Sequence, residues 1–130
     1  MDRNVNFTLK TTVFDQDITA FVLVPDEGIH VSVFGGKKPH IGAVSIIPPD
    51  GGRQDLQFPG HKDLVIASRW AEAICHAGYR PVVIEAGIHY DDLSKEGIAA
   101  VVAAADRLLE DLLQCLSKNR GSVPWRNPGS

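Results

Sequence analysis

"RPVVIEAGI", Arg80 to Ile88, decides how the second half of this 130-residue chain folds. It is a run apolar enough for a central strand, and it ends in a glycine-containing turn toward His89. Before it, from Lys62 to Ala77, Ala67, Trp70, Ala71 and Ile74 recur at helical spacing, and Gly78 stands where a C-terminal cap belongs. After it comes "SKEGIAAVVAAADRLLEDLLQCLSKNRG", Ser94 to Gly121, with an apolar stripe of Ile98, Val101, Ala105, Leu108, Leu112 and Cys115. Ser94 is placed to cap the start of that helix and Gly121 its end. At 1.5 Å per residue it spans roughly 35 Å, long enough for part of it to meet a second subunit.

The first half has period two. "VNFTLKTTVF" puts Val5, Phe7 and Leu9 on one face, Asp15-Gln16 is read as a two-residue turn, and "DITAFVLV" returns. "PDEG", Pro25 to Gly28, is a second turn. "IHVSVF" and "IGAVSII" are the third and fourth strands, separated by the Gly35–Gly42 segment and stopped by Pro48-Pro49. "PPDGGRQDL" is read as a surface loop. Four antiparallel strands followed by helix, strand and helix predict an α+β fold: a mainly antiparallel sheet of about five strands with both helices on one face. The other face is expected to be partly exposed or covered by a partner. Residues 1–120 are read as one domain and 121–130 as a loose tail in which Trp125 is the only candidate anchor.

Composition narrows the function. A net charge of −3 gives no bulk attraction to nucleic acid or anionic membranes. No run of 18 apolar residues exists to cross a membrane, and "MDRNVNFTLK" lacks the apolar region of a secretory signal. Cys75 and Cys115 stand alone within helical patterns and are read as buried free thiols, which suits a reducing cytoplasm. There is no P-loop, no GxGxxG, no HExxH and no GxSxG elbow.

Three segments carry what chemistry there is. "GGKKPHIG" puts Gly35 and Gly36 where backbone can approach a ligand, adds Lys37 and Lys38, and places His40 after Pro39 at the mouth of the fourth strand. "FPGHKD", Phe58 to Asp63, runs into a helix whose N-terminal N–H groups favour an anion. There Lys62 and Arg69, two helical turns apart, share a face. "EAGIHY" ends the fifth strand with Gly87 and His89. Read without further context, these are a decorated turn, a helix start and a strand-to-helix turn. Read together, they make a glycine-lined, weakly cationic site suited to an anionic or phosphorylated small molecule. His40, His61 and His89 form a candidate metal set, although nothing in their spacing makes them converge.

"GGKKPHIGAV", "FPGHKD" and "AGIHYDDLSKEGIAAV" resemble the small D subunit of gallate-decarboxylase-type loci, the LpdD family of prenylated flavin chaperones. The resemblance runs from about Phe34 to Leu113. It implies a fold like that of proteasome-assembly chaperones, and a homodimer. It also implies a cytoplasmic protein, not itself the decarboxylase, that holds prenylated FMN between a flavin prenyltransferase and a UbiD-type decarboxylase, protecting it or assisting its oxidative maturation and delivery. The matching positions are Gly35, Gly36, Pro39, His40, Gly42, His61, Lys62, Asp63, Gly87 and His89. Only Gly60 separates Pro59 from His61 here, a departure from the longer, histidine-bearing insertion that the family can carry. Two other readings stay open: a small metal-dependent hydrolase or isomerase built on His40, His61 and His89, and a protein-assembly chaperone with no small-molecule ligand.

Overall fold

The computed structural model describes residues 5–59 and 63–122. His61 and Lys62, and the tail from residue 123 with Trp125, lie outside the described residues. Eight elements follow in chain order: β1 (Val5–Val13), β2 (Gln16–Val24), β3 (Ile29–Gly36), β4 (Ala43–Ile47), β5 (Gln54–Gln57), α1 (Leu64–His76), β6 (Val82–His89) and α2 (Lys95–Ser122). The strands form one sheet in the order β1-β2-β3-β6-β4-β5. The α+β class is as expected, with six strands rather than about five. The added one, β5, lies within the stretch read as a surface loop; it pairs antiparallel with β4 and is exposed at every residue.

The larger difference is at the centre. β3 and β4 do not form a hairpin. β6 lies between them, parallel to β3 (Val33 opposite Ala86) and antiparallel to β4 (Ala43 opposite Ala86). The Gly35–Gly42 segment is therefore not a turn between neighbours but a crossing over the end of β6. The β1–β2 turn falls at Phe14-Asp15, one residue before the expected position. Both residues have positive φ, 53° and 62°, as a two-residue hairpin of this twist demands.

Strand alternation sorts the two faces. Ile18, Ala20 and Val22 of β2, Val31 and Val33 of β3, and Val82, Ile84 and Ala86 of β6 are buried in one core with the helices. α1 contributes Ala67, Trp70, Ala71 and Ile74, the four residues that its spacing predicts, and lies over β4 and β6. Gly78, at φ 104°, closes it by donating to the Cys75 carbonyl at 2.9 Å. α2 packs along β1 and touches α1. The Ser94 hydroxyl accepts from the Gly97 N–H at 3.0 Å, the expected cap. Val101, Ala105, Leu108 and Leu112 of the predicted stripe are buried, together with Ala104, Leu109 and Leu116. Ile98 is 53% exposed instead, and the helix runs one residue past Gly121. Both cysteines are free and half-buried rather than buried.

The opposite face is open. Pairing aligns Thr8, Phe21, Ser32, Glu85, Val44 and Leu56 across all six strands. Phe21, Leu23 and Leu56 on this face are each more than 40% exposed. At its middle, the Ser32 hydroxyl donates to Glu85 Oε1 at 2.5 Å and His30 Nε2 lies 3.1 Å from the same oxygen. The Ser32 hydrogen bond, with a smaller contribution from His30, holds the Glu85 carboxyl below its ordinary value of 4.5 against the opposing effect of burial. A depressed carboxylate contributes stability that is present above the unfolded value and is lost as pH falls through the folded one. Acidification below about pH 4.5 is thus expected to destabilise the native protein, and Ser32→Ala should flatten that dependence. Denaturant unfolding at neutral pH and near pH 3.5 measures it. An unchanged pH slope in the variant would show that Ser32 does not hold the carboxylate.

Candidate functional site

At the C-terminal end of β6, three pieces of chain converge: the crossing segment, the start of α1 and the start of α2. Glycines make the convergence possible. The His40 carbonyl lies directly over Gly87, where a Cβ would overlap it. A Cβ on Gly42 would strike Asp63 Oδ2. Gly36, at φ 79°, turns the chain against the His89 carbonyl, which accepts from the Lys37 N–H at 2.8 Å. Gly42 N–H donates to Ala86 O at 2.9 Å and re-enters the sheet on the far side of β6.

Asp63 ties these pieces together. It stands at the N-cap of α1 but makes no side-chain cap. Its carboxylate reaches away from its own helix: Oδ1 accepts from the Ile88 N–H at 3.0 Å and Oδ2 lies 2.9 Å from His40 Nε2. The carboxylate is only 7% exposed and the imidazole 16%. His40 Nδ1 is 2.9 Å from the Lys38 carbonyl, an acceptor only, so that nitrogen carries a hydrogen. Nε2 is thus the ring nitrogen turned toward the Asp63 carboxylate.

His89 stands beside it, with ring centroids 6.4 Å apart at 73°. His89 Nε2 is 2.8 Å from Asp91 Oδ1, and Lys37 Nζ is 3.1 Å from Asp91 Oδ2. The His89 contact first, then Lys37, lowers the Asp91 carboxyl from its ordinary range. Tyr90 turns inward. Its hydroxyl donates to the Val13 carbonyl at 2.9 Å, its ring meets Phe14 edge-on at 6.0 Å, and burial pushes its phenol up, so it stays a donor.

These residues border a cleft of about 480 Å³, within the range of small-molecule sites. His40, Asp63 and His89 are its polar side. Val65 and Ile66 of α1 face Ile98, Val101 and Val102 of α2 across it, with Ile88, Tyr90 and Leu93 completing the lining. Val65 and Ile98, 60% and 53% exposed, are apolar side chains at the edge of this cleft.

The structure thus brings together Gly36, His40, Gly42, Gly87 and His89, with Gly35 at the end of β3. Pro39 is exposed on the crossing, as are Lys37 and Lys38. Arg69 is directed elsewhere: its guanidinium lies 2.9 and 3.0 Å from the two oxygens of Asp106 on α2. Among the described residues no group of three or more His, Cys, Asp or Glu is placed to hold a metal; His61, the third candidate, lies outside them. Sequence reasoning passed over the part played by Asp63, which reads as an ordinary cap, and assigned Ile98 to the core. The signal that remained was the short apolar run "IAAVV" opening a helix immediately after a histidine-bearing strand end.

The architecture is a six-stranded mixed sheet with two helices on one face and a cleft where both helices begin. The chain superposes on a chain from the crystal structure of a chaperone complex for yeast 20S proteasome assembly with a TM-score of 0.54 at 15% identity, covering 89% of this chain and 97% of that one. This likeness concerns the fold alone. Residues 12–117 match the family model of the prenylated flavin chaperone LpdD-like domain, and the chain belongs to that family. It is 29% identical over 114 residues to Protein LpdD of Lactiplantibacillus plantarum, covering 84% of each chain. Membership supports a chaperone role. No helix among the described residues is long and apolar enough to cross a membrane.

Proposed function

We propose that this protein binds prenylated FMN as cargo, holding it between the flavin prenyltransferase that makes it and the UbiD-type decarboxylase that uses it. The observation that carries this reading is the cleft itself: apolar walls on two helices, closed on one side by a buried imidazole–carboxylate pair and a second imidazole. Such a lining suits a large ring system with one hydrogen-bonding edge. The family's description supports the choice of ligand. The protein performs no fast chemistry in this role; it shields the cargo and lets it go.

His89 is the residue for the test. His40 carries Asp63, so its removal disturbs the scaffold, whereas His89 is half-exposed and its Nδ1 has no hydrogen-bond partner among the described residues. The protein is co-expressed with a flavin prenyltransferase and desalted without oxygen. It is expected to retain a flavin-type absorption band and to release a species of the mass of prenylated FMN. His89→Ala should lower occupancy several-fold with an unchanged melting temperature. A colourless, ligand-free wild-type protein would remove the proposal.

The same reading takes the chain as a homodimer. The open sheet face, with Phe21, Leu23 and Leu56 exposed, is the surface for the second copy. Phe21→Glu is expected to convert a dimer into a monomer, as measured by light scattering after size exclusion.

A further inference from the structure

We infer, resting on the reading above, that the cleft selects the prenyl-modified ring of the flavin and leaves the phosphate outside. None of the described lining residues is Lys or Arg, and the carboxylate among them, Asp63, is buried. A phosphate dianion drawn inside would sit beside that carboxylate, and it would find no guanidinium or ammonium among the described lining residues. The described cations nearest in sequence and fold are committed elsewhere or lie outside the lining: Lys37 to Asp91, Arg69 to Asp106, and Lys38 exposed on the crossing segment. At the N-terminus of α1 the Leu64 N–H already donates to Gln57 Oε1 at 3.2 Å.

The apolar side is better provided. Leu93, Ile98, Val101 and Val102 give aliphatic surface that an unmodified, planar and fully conjugated flavin does not require. The ring added by prenylation is aliphatic and carries two methyl groups. Ligand entering ring-first places that addition against α2 and keeps the polar edge toward His40 and His89. The phosphate is then left at the mouth, where an acceptor enzyme can take hold of it before the ring leaves the cleft.

The test compares three ligands on the full chain under anaerobic conditions, by fluorescence titration or calorimetry: prenylated FMN, prenylated riboflavin obtained from it with a phosphatase, and FMN. Removing the phosphate is expected to change the dissociation constant by no more than about threefold, less than one charge-assisted hydrogen bond supplies. Removing the prenyl group is expected to weaken binding by more than about tenfold, given the buried aliphatic carbons lost. A loss of about thirtyfold or more on removing the phosphate would overturn the inference and leave the cargo reading standing. Equal binding of FMN and prenylated FMN would also overturn it. Failure of all three ligands to bind would overturn the inference together with the reading on which it rests.

Discussion

Gly87→Ala is expected to be among the most damaging single-methyl additions this protein can receive. The added carbon points at the His40 carbonyl, which is backbone and cannot rotate away. Relief requires the crossing segment to lift off β6. That movement strains the Gly42 N–H bond to Ala86 O and the Lys37 N–H bond to His89 O, and pulls His40 from Asp63. Overpacking against backbone with several coupled hydrogen bonds belongs to the severe class of substitutions, about 3 kcal/mol here. In a domain of this size that lowers the melting temperature by about 10 °C. Thermal unfolding followed by circular dichroism measures it. A fall of less than about 2 °C would mean that the crossing rides freely above the strand.

Asp63→Ala is expected to cost about as much by a different route. It leaves the Ile88 N–H without its acceptor and a mostly buried His40 Nε2 without the oxygen it faces. Each buried polar group left unpaired costs about 1–3 kcal/mol. Asp63→Asn separates geometry from charge. The amide oxygen can still accept from Ile88, and the amide nitrogen can donate to Nε2 of a His40 ring that carries its hydrogen at Nδ1. Asparagine should therefore recover most of the loss, leaving about 1 kcal/mol. Guanidinium unfolding of the two variants side by side decides the matter. Equal destabilisation by Ala and Asn would show that the charge, and not the pair of hydrogen bonds, holds the site.

Local elements were legible in the sequence because their causes are local. The buried face of α1, the Gly78 cap, the Ser94 cap and the alternation of β2 and β3 each follow from spacing within a dozen residues. What escaped was non-local. "IHVSVF" and "AVSII" look like the arms of a hairpin because they are successive and apolar, and nothing within either run shows that Val82–His89 will come between them. "QDLQ" escaped because an edge strand exposed along its length has no apolar pattern to reveal it. At the site the glycines were found, Gly35 and Gly36 as places where backbone can approach a ligand. What single segments do not show is the contact each makes within the fold: Gly36 with His89, Gly87 with His40, Gly42 with Asp63. The histidines at strand ends were found as well, while Asp63 entered only as a position matching the family, because its partners His40 and Ile88 are more than twenty residues away in the chain.

The place of β6 has a consequence for how the protein comes into being. Synthesis delivers β1, β2 and β3 as one meander and β4 with β5 as a separate pair, and neither has the strand that joins them. Until residue 89 has left the ribosome, the inner edges of β3 and β4 offer unsatisfied backbone groups to any extended chain nearby. The seam of the sheet then closes late, through contacts about fifty residues apart along β3 and β6, and topology of that kind folds slowly. A protein in a chaperone family is thereby, during its own synthesis, a chain with two open edges awaiting its central strand.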